Sequence, residues 1–212
     1  MEFNYLSFRK GILLAGGYGK RLAPLTNAIS KQLIPIYDKP LIYYSLTNLM
    51  LCGIKDILII SDLTNMKLFK NLLGDGHQWG IQLSYEIQEQ PKGVAHAILL
   101  GEEFVESSNV AVALGDNIFH GNDFVRLLRS ADSRSIGCTV FAYPVSDPQR
   151  YGVVKFDHSG NIIDIEEKPK FPSSQYAITG IYFYDNSVFK KIKELTFSSR
   201  GELEITDLNR KY

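Results

Sequence analysis

An α/β fold, a doubly wound and mostly parallel sheet with a β-hairpin elaboration in its second half, is predicted by three observations. Apolar runs of strand length alternate with amphipathic helical stretches over the first two thirds of the chain. The links between them are short, the β-α-β order that packs as a parallel sheet with helices on both faces. After residue 150 the rhythm changes to paired short runs about a Ser-Gly turn.

Taken in order, GILLA at 11–15 is a strand that empties into glycines. Pro40 suits the first turn of a helix, and LIYYSLTNLMLC carries that helix to Gly53, a good terminator. DILIIS at 56–61 is a second buried strand, and in NMKLFKNLLG at 65–74 Met66, Phe69, Leu72 and Leu73 share one helical face. LSYEIQ at 83–88, VAVALGD at 110–116 and CTVFAYPV at 138–145 read as further strands of the same series. Helices are predicted between them, in GVAHAILLGEEF and in DFVRLLRSA. YGVVKFDHSGNIIDIEEKP holds two runs around Ser159-Gly160, a hairpin signal. AITGIYFYD is another strand, and NSVFKKIKEL a helix with Asn186 as its expected cap. ELEITDLNRKY sets Ile205, Leu208 and Tyr212 at helical spacing and then stops without cap or breaker. The expectation is that the sequence is an incomplete version of something longer.

The 212 residues suit one sizeable domain, and a hydrophobic content of 45% provides for its core. Lys+Arg and Asp+Glu balance at 23 each, so no bulk field draws the chain to nucleic acid or a membrane surface, and any anion site must be a local cluster. Cys52 and Cys138 have no ligand spacing, which speaks against structural zinc and a disulfide framework. MEFNYLSFRK lacks the apolar core of a signal peptide, and no apolar run approaches the roughly 18 residues of a membrane span. A cytoplasmic setting is expected.

The local cluster is GILLAGGYGKRLAPLTNAISKQLIPIYDKP. Gly16, Gly17 and Gly19 follow the first strand, at the carboxyl edge where open α/β sheets bind ligands, and Lys20, Arg21 and Lys31 add positive charge. Glycines let backbone N–H groups approach an anion closely. The chemistry points to phosphate, with a plain glycine turn between core elements as the alternative. It is not the dinucleotide fingerprint, since Leu22 stands where a third glycine is needed, and not a P-loop, since two residues instead of four separate Gly16 from Gly19. Pro24 also opposes the helix that both motifs open.

Asp116, at the end of a buried strand, is placed either to hold Mg²⁺ or to make a local turn. In NIIDIEEKP, alternation puts Ile163, Ile165 and Glu167 on one face, so Glu167 continues an apolar surface where a polyhydroxylic ligand would suit it; a solvated charge run is the alternative. Lys168 falls on the opposite face unless the strand ends, and Pro169 signals that end. His77, His96, His120 and His158 share no ligand spacing, and no Ser-His-Asp or Cys-His set can be assembled.

LAGGYGKRLAPLT and SKQLIPIYDKPLIYY resemble the signature of the sugar-phosphate nucleotidylyltransferase family. LGDGHQWG, LGDNIFHG, DPQRYGVVKFD, EEKP, YAITGIYFYD and RGELEITDLN resemble its later motifs in family order, nearly the whole chain from Lys10 onward. The resemblance is to the branch acting on dTTP and glucose 1-phosphate, and it implies a Rossmann-like nucleotidyltransferase domain over residues 10–212 with residues 1–9 as an extension. The implied reaction is in-line attack of the sugar phosphate on the α-phosphorus of dTTP, with Mg²⁺, giving dTDP-glucose and pyrophosphate. By matched motif, Arg21 and Lys31 would be catalytic cations. Leu14, Ala15, Gly16, Gly17 and Gly19 would cradle the nucleotide, and Gln88 and Gly93 would read the base. Asp116 would hold the metal and the nucleotide. Tyr151, Gly152, Glu167, Lys168 and Ile178 would line the sugar-phosphate pocket. Family members also lead one to expect a homo-oligomer.

Three departures stand out. Lys20 occupies a position usually held by Thr or Ser, His96 one usually held by Gln, and a second metal-binding aspartate of the family lies beyond the position of Tyr212. A UTP-using enzyme of the same chemistry and a binding-only homologue therefore remain open readings.

Overall fold

The computed structural model describes residues 7–17 and 19–212, so the first six residues of the expected extension lie outside the described residues. Along the chain run β1 (Lys10–Leu14), a short ribbon of β2 (Pro35–Ile36) and β3 (Lys39–Pro40), α1 (Leu41–Leu51), β4 (Asp56–Ser61), α2 (Leu63–Leu73) and β5 (Gln82–Ile87). α3 (Val94–Leu100), α4 (Glu102–Val105), β6 (Val110–Leu114), α5 (Phe124–Asp132) and β7 (Cys138–Pro144) follow. The last third comprises β8 (Gly152–Phe156), β9 (Ile162–Glu167), β10 (Tyr176–Tyr184), α6 (Val188–Lys193) and α7 (Ile205–Arg210).

The main sheet has the order β5-β4-β1-β6-β10-β8-β9, with β7 also paired to β10. Its first four strands are mutually parallel. Their side chains alternate between two apolar layers because successive residues of a strand face opposite ways. Leu13, Ile57 and Ile59 meet Ile42, Leu46 and Phe69 of α1 and α2 on one face. Ile12, Leu58 and Ile60 meet Ile98, Phe189 and Leu208 of α3, α6 and α7 on the other. This is the doubly wound α/β arrangement that the alternating runs predict, and among the described residues no helix is long and apolar enough to cross a membrane.

Details differ from expectation where burial says nothing about direction. β7 is not a fifth parallel strand but pairs antiparallel with β10, Tyr184 opposite Cys138 and Tyr182 opposite Val140. β10 is itself antiparallel to β6. The helix expected over residues 93–104 breaks at Gly101, where a Cβ would stand 2.6 Å from the Ile12 side chain; close seating on β1 requires the glycine. Ser187, not Asn186, stands at the N-cap of α6. The Asn186 amide instead donates to the carbonyls of Glu106 and Ser108 at 2.7 and 2.8 Å. On β9, Ile165 is buried but Ile163 is exposed, so the apolar face is shorter than alternation predicts. The hairpin about Ser159-Gly160 forms as expected, with Val154 opposite Ile165 and Gly152 opposite Glu167.

Arg9, just before β1, is buried. Its guanidinium pairs with Asp132 at 3.2 Å and donates to the carbonyls of Tyr184 at 2.6 Å and of Arg134. It thereby ties the start of β1 to the end of α5 and to β10.

Candidate nucleotide and sugar-phosphate site

The carboxyl ends of β1, β4, β5 and β6 open on one side of the sheet, and most of the expected residues gather there. Ala15 still belongs to the sheet, its N–H donating to the Ile60 carbonyl at 2.7 Å and its carbonyl accepting from Ser61 Oγ at 2.9 Å. The chain then leaves the sheet. Gln32, buried beneath, donates from Nε2 to the Gly16 carbonyl at 2.9 Å and is itself oriented by Ser30 Oγ at 2.7 Å. With that carbonyl pinned inward, the Gly16–Gly17 backbone turns to the cleft, and Gly17 has φ of 107°, open only to glycine without strain. Gly19 closes the loop, its carbonyl accepting from Leu22 N at 2.8 Å and Thr26 Oγ1 at 3.0 Å.

Two adjoining hollows of about 250 and 260 Å³ share Gly16, Gly17, Gln88 and Pro91, so they form one cleft. The second also takes in Leu14, Gly93 and Asp116. Gln88 is fixed at the end of β5 by its N–H to the Ser61 carbonyl at 2.9 Å. Its Nε2 lies 3.2 Å from the Gly93 carbonyl and 3.1 Å from His96 Nδ1. Burial, with Lys92 nearby, holds the His96 imidazole below its ordinary pKa, so the ring is neutral at neutral pH.

At the end of β6, Lys31 Nζ contacts Asp116 Oδ2 at 2.7 Å, and Asn117 Nδ2 contacts Asp116 Oδ1 at 2.8 Å. Both members of the ion pair are only partly exposed. Asn117 Oδ1 accepts from Gly180 N at 3.0 Å, which connects this corner to β10 and the hairpin. A side chain at 180 would collide with Asn117 at 2.6 Å.

The expected residues of the hairpin form a second group. Opposite Gly152, the Glu167 carboxylate accepts from Thr206 Oγ1 at 2.5 Å and pairs with Lys168 Nζ at 2.9 Å and Arg200 Nη2 at 3.3 Å. A Cβ on Gly152 would lie 2.9 Å from Thr206 Oγ1 and 3.9 Å from Ile178 Cδ1, so these groups converge. Lys168 ends β9 at φ 42°, a costly conformation for lysine, while its N–H donates to the Tyr151 carbonyl at 2.9 Å. Tyr151 itself is 36% exposed, its ring beside the Arg150 guanidinium.

Arg21 stands apart. It sits exposed on a short 3-10 turn, Lys20–Leu22, outside the lining of both hollows. Conversely, Gln32, Asn117, Arg200, Glu204 and Thr206 join the site although nothing in the sequence reading assigned them. The signal available was polar residues set among apolar ones in SKQLIP and ELEIT, which identifies a half-buried face but not its partner.

The donors fit magnesium in one respect. A single carboxylate at the cleft matches a hard cation held jointly by protein and substrate phosphates. Among the described residues no group of three acidic, histidine or cysteine side chains could hold a metal alone. Nor is there a nucleophilic thiol. Burial pushes Cys52 and Cys138 up to about 12, which leaves both protonated.

Comparison with known proteins gives the family. The family model described as nucleotidyl transferase matches residues 10–212. A glucose-1-phosphate thymidylyltransferase of Xanthomonas campestris is 56% identical over 204 residues, covering 96% of this chain and 69% of its own length. One from Neisseria gonorrhoeae is 53% identical, with 96% and 70% covered. A Bacillus anthracis structure assigned as a glucose-1-phosphate thymidylyltransferase, with sucrose, superposes with a TM-score of 0.87 at 44% identity, covering 96% of this chain and 82% of that one. A UDP-glucose pyrophosphorylase bound to UDP-glucose gives 0.80 at 27% identity, with 96% and 86% covered.

Proposed function

We propose, from the premise that this chain belongs to the nucleotidyl transferase family and within it to the glucose-1-phosphate thymidylyltransferases, that it joins glucose 1-phosphate to the thymidylyl group of dTTP and releases pyrophosphate. The observation that carries the reading is the cleft in which the Gly16–Gly17 backbone, Gln88 and the Lys31–Asp116 pair converge, with Asn117, next to Asp116, bonded to Gly180 of β10.

The reaction is one displacement. An oxygen of the sugar phosphate attacks the α-phosphorus in line while the bond to the pyrophosphate oxygen breaks, so no protein nucleophile is needed, in keeping with two protonated thiols. The main difficulty is electrostatic. Two unit charges about 4 Å apart repel by about 4 kcal/mol at an effective dielectric near 20, and here a phosphate ester must meet a triphosphate. Lys31, a flexible point charge already at the cleft, bridges the two substrates at the α-phosphate and stabilises charge on the equatorial oxygens. Arg21, exposed on its turn, reaches the triphosphate by reorienting its long side chain. Gly16 and Gly17 supply backbone donors, and Gln88 with Gly93 faces the base. Glu167, held by Thr206 and Lys168, receives sugar hydroxyls, while Gly152 lets Thr206 approach closely beside it. Asp116 would hold Mg²⁺ together with the phosphates, and the ion supplies charge neutralisation there. The same reading sets the reaction in the cytoplasm.

The test is direct. Protein supplied with dTTP, glucose 1-phosphate and Mg²⁺ is assayed for pyrophosphate. Release is expected from the wild type, and a loss of about 100-fold or more is expected from Lys31→Ala. Unchanged turnover in that variant removes Lys31 from the chemistry. Asp116→Asn is expected to lose activity and Mg²⁺ dependence together.

A further inference from the structure

We infer that His96 is a positioning residue that fixes the Gln88 carboxamide with its oxygen toward the cleft, and so makes the site select pyrimidines carrying an N3–H. The inference deepens the proposed function and rests on its reading that Gln88 meets the base.

The orientation follows from what each atom can do. The Gly93 carbonyl, 3.2 Å from Gln88, is an acceptor only, so the nearby amide atom must be nitrogen. That nitrogen donates its second hydrogen to His96 Nδ1 at 3.1 Å, which requires Nδ1 to be unprotonated and the ring proton to sit on Nε2. Both amide hydrogens are then engaged. Among the described residues no donor reaches Gln88 Oε1, and Gln88 lines both hollows of the cleft. The cleft thus presents an acceptor. Thymine and uracil offer the N3–H it needs, whereas cytosine brings an unprotonated N3 against the same oxygen.

Gly93 alone would hold the amide weakly, since one neutral hydrogen bond opposes a flip. His96, projecting from α3 toward the end of β5, adds the second restraint. Without it the amide can turn its nitrogen outward and accommodate dCTP.

Calorimetry with dTTP and dCTP, whose phosphates are identical, reads the effect as a ratio. His96→Leu is expected to lower the dTTP preference over dCTP by about fivefold or more, the scale of one neutral hydrogen bond. His96→Asn, which sets an amide oxygen near the place of Nδ1, is expected to restore it. Gln88→Leu serves as the control and should lose the preference. Should His96→Leu keep the full preference while Gln88→Leu loses it, His96 has no positioning role and the base-reading assignment of Gln88 survives. If neither variant changes the ratio, or the wild type binds no dTTP, the assignment of Gln88 fails as well. Nitrogen-15 NMR of the wild type gives a readout independent of variant folding. An unprotonated Nδ1 on His96 is expected at neutral pH, and a proton on that atom overturns the inference.

Discussion

Gly93 has φ of 101°, and a Cβ there would stand 2.4 Å from the Leu203 carbonyl oxygen. The crowding arises because Leu203 and residues 92–95 exchange backbone hydrogen bonds, Leu203 N to the Lys92 carbonyl and Ala95 N to the Leu203 carbonyl. Those bonds hold the 200–206 segment beside the cleft, which Glu202 lines, while Arg200 and Thr206 reach Glu167. Gly93→Ala is therefore expected to displace that segment and to weaken dTTP and sugar-phosphate binding together. Stability should fall by about 1–3 kcal/mol in chemical denaturation. Binding of both ligands at wild-type strength would contradict the account. In the sequence this glycine opens an expected helix and takes a base-reading role by resemblance alone. Its close approach to a residue more than a hundred positions away is a tertiary fact.

At the scale of elements, the approach to α7 is stabilised by one buried carboxylate. Burial pushes the Glu204 pKa up, but hydrogen bonds from Arg200 at 2.6 Å and Ser198 at 2.7 Å outweigh it and leave the group below its ordinary 4.5. A depressed carboxylate contributes stability that is present above the ordinary value and is lost as pH falls through the folded one. Wild-type thermal midpoints should accordingly fall on acidification below about pH 4.5, and Glu204→Gln should be less stable at neutral pH with a flatter acid limb. An equally steep limb in the variant would assign the acid sensitivity elsewhere. Helical spacing found α7 itself, since Leu208 faces the core. It could not find the break between α3 and α4, because Gly101 is required by the Ile12 side chain and by nothing local.

Over the whole molecule, Arg9 shows how distant parts are held in register. Its guanidinium joins β1, α5 and β10 from a buried position, and breaking a buried ion pair by removing one partner is strongly destabilising. Arg9→Met should cost about 3–5 kcal/mol in urea denaturation, while the surviving folded protein keeps its dTTP affinity, since Arg9 lies outside the cleft. A loss of affinity at full occupancy of the fold would show the two to be coupled.

From the order of residues alone came the alternating strands and helices, the glycines at the end of the first strand, and the cations and carboxylates expected beside them. These are consequences of local physics, side-chain periodicity and backbone freedom, which a linear pattern carries. Tertiary structure decided the antiparallel direction of β7, the pairing of Lys31 with Asp116, the convergence of Thr206 and Arg200 on Glu167, and the orientation of Gln88 by His96. Each depends on which distant groups meet at hydrogen-bonding distance, and that is fixed by packing of the two apolar layers, not by any neighbour in the chain.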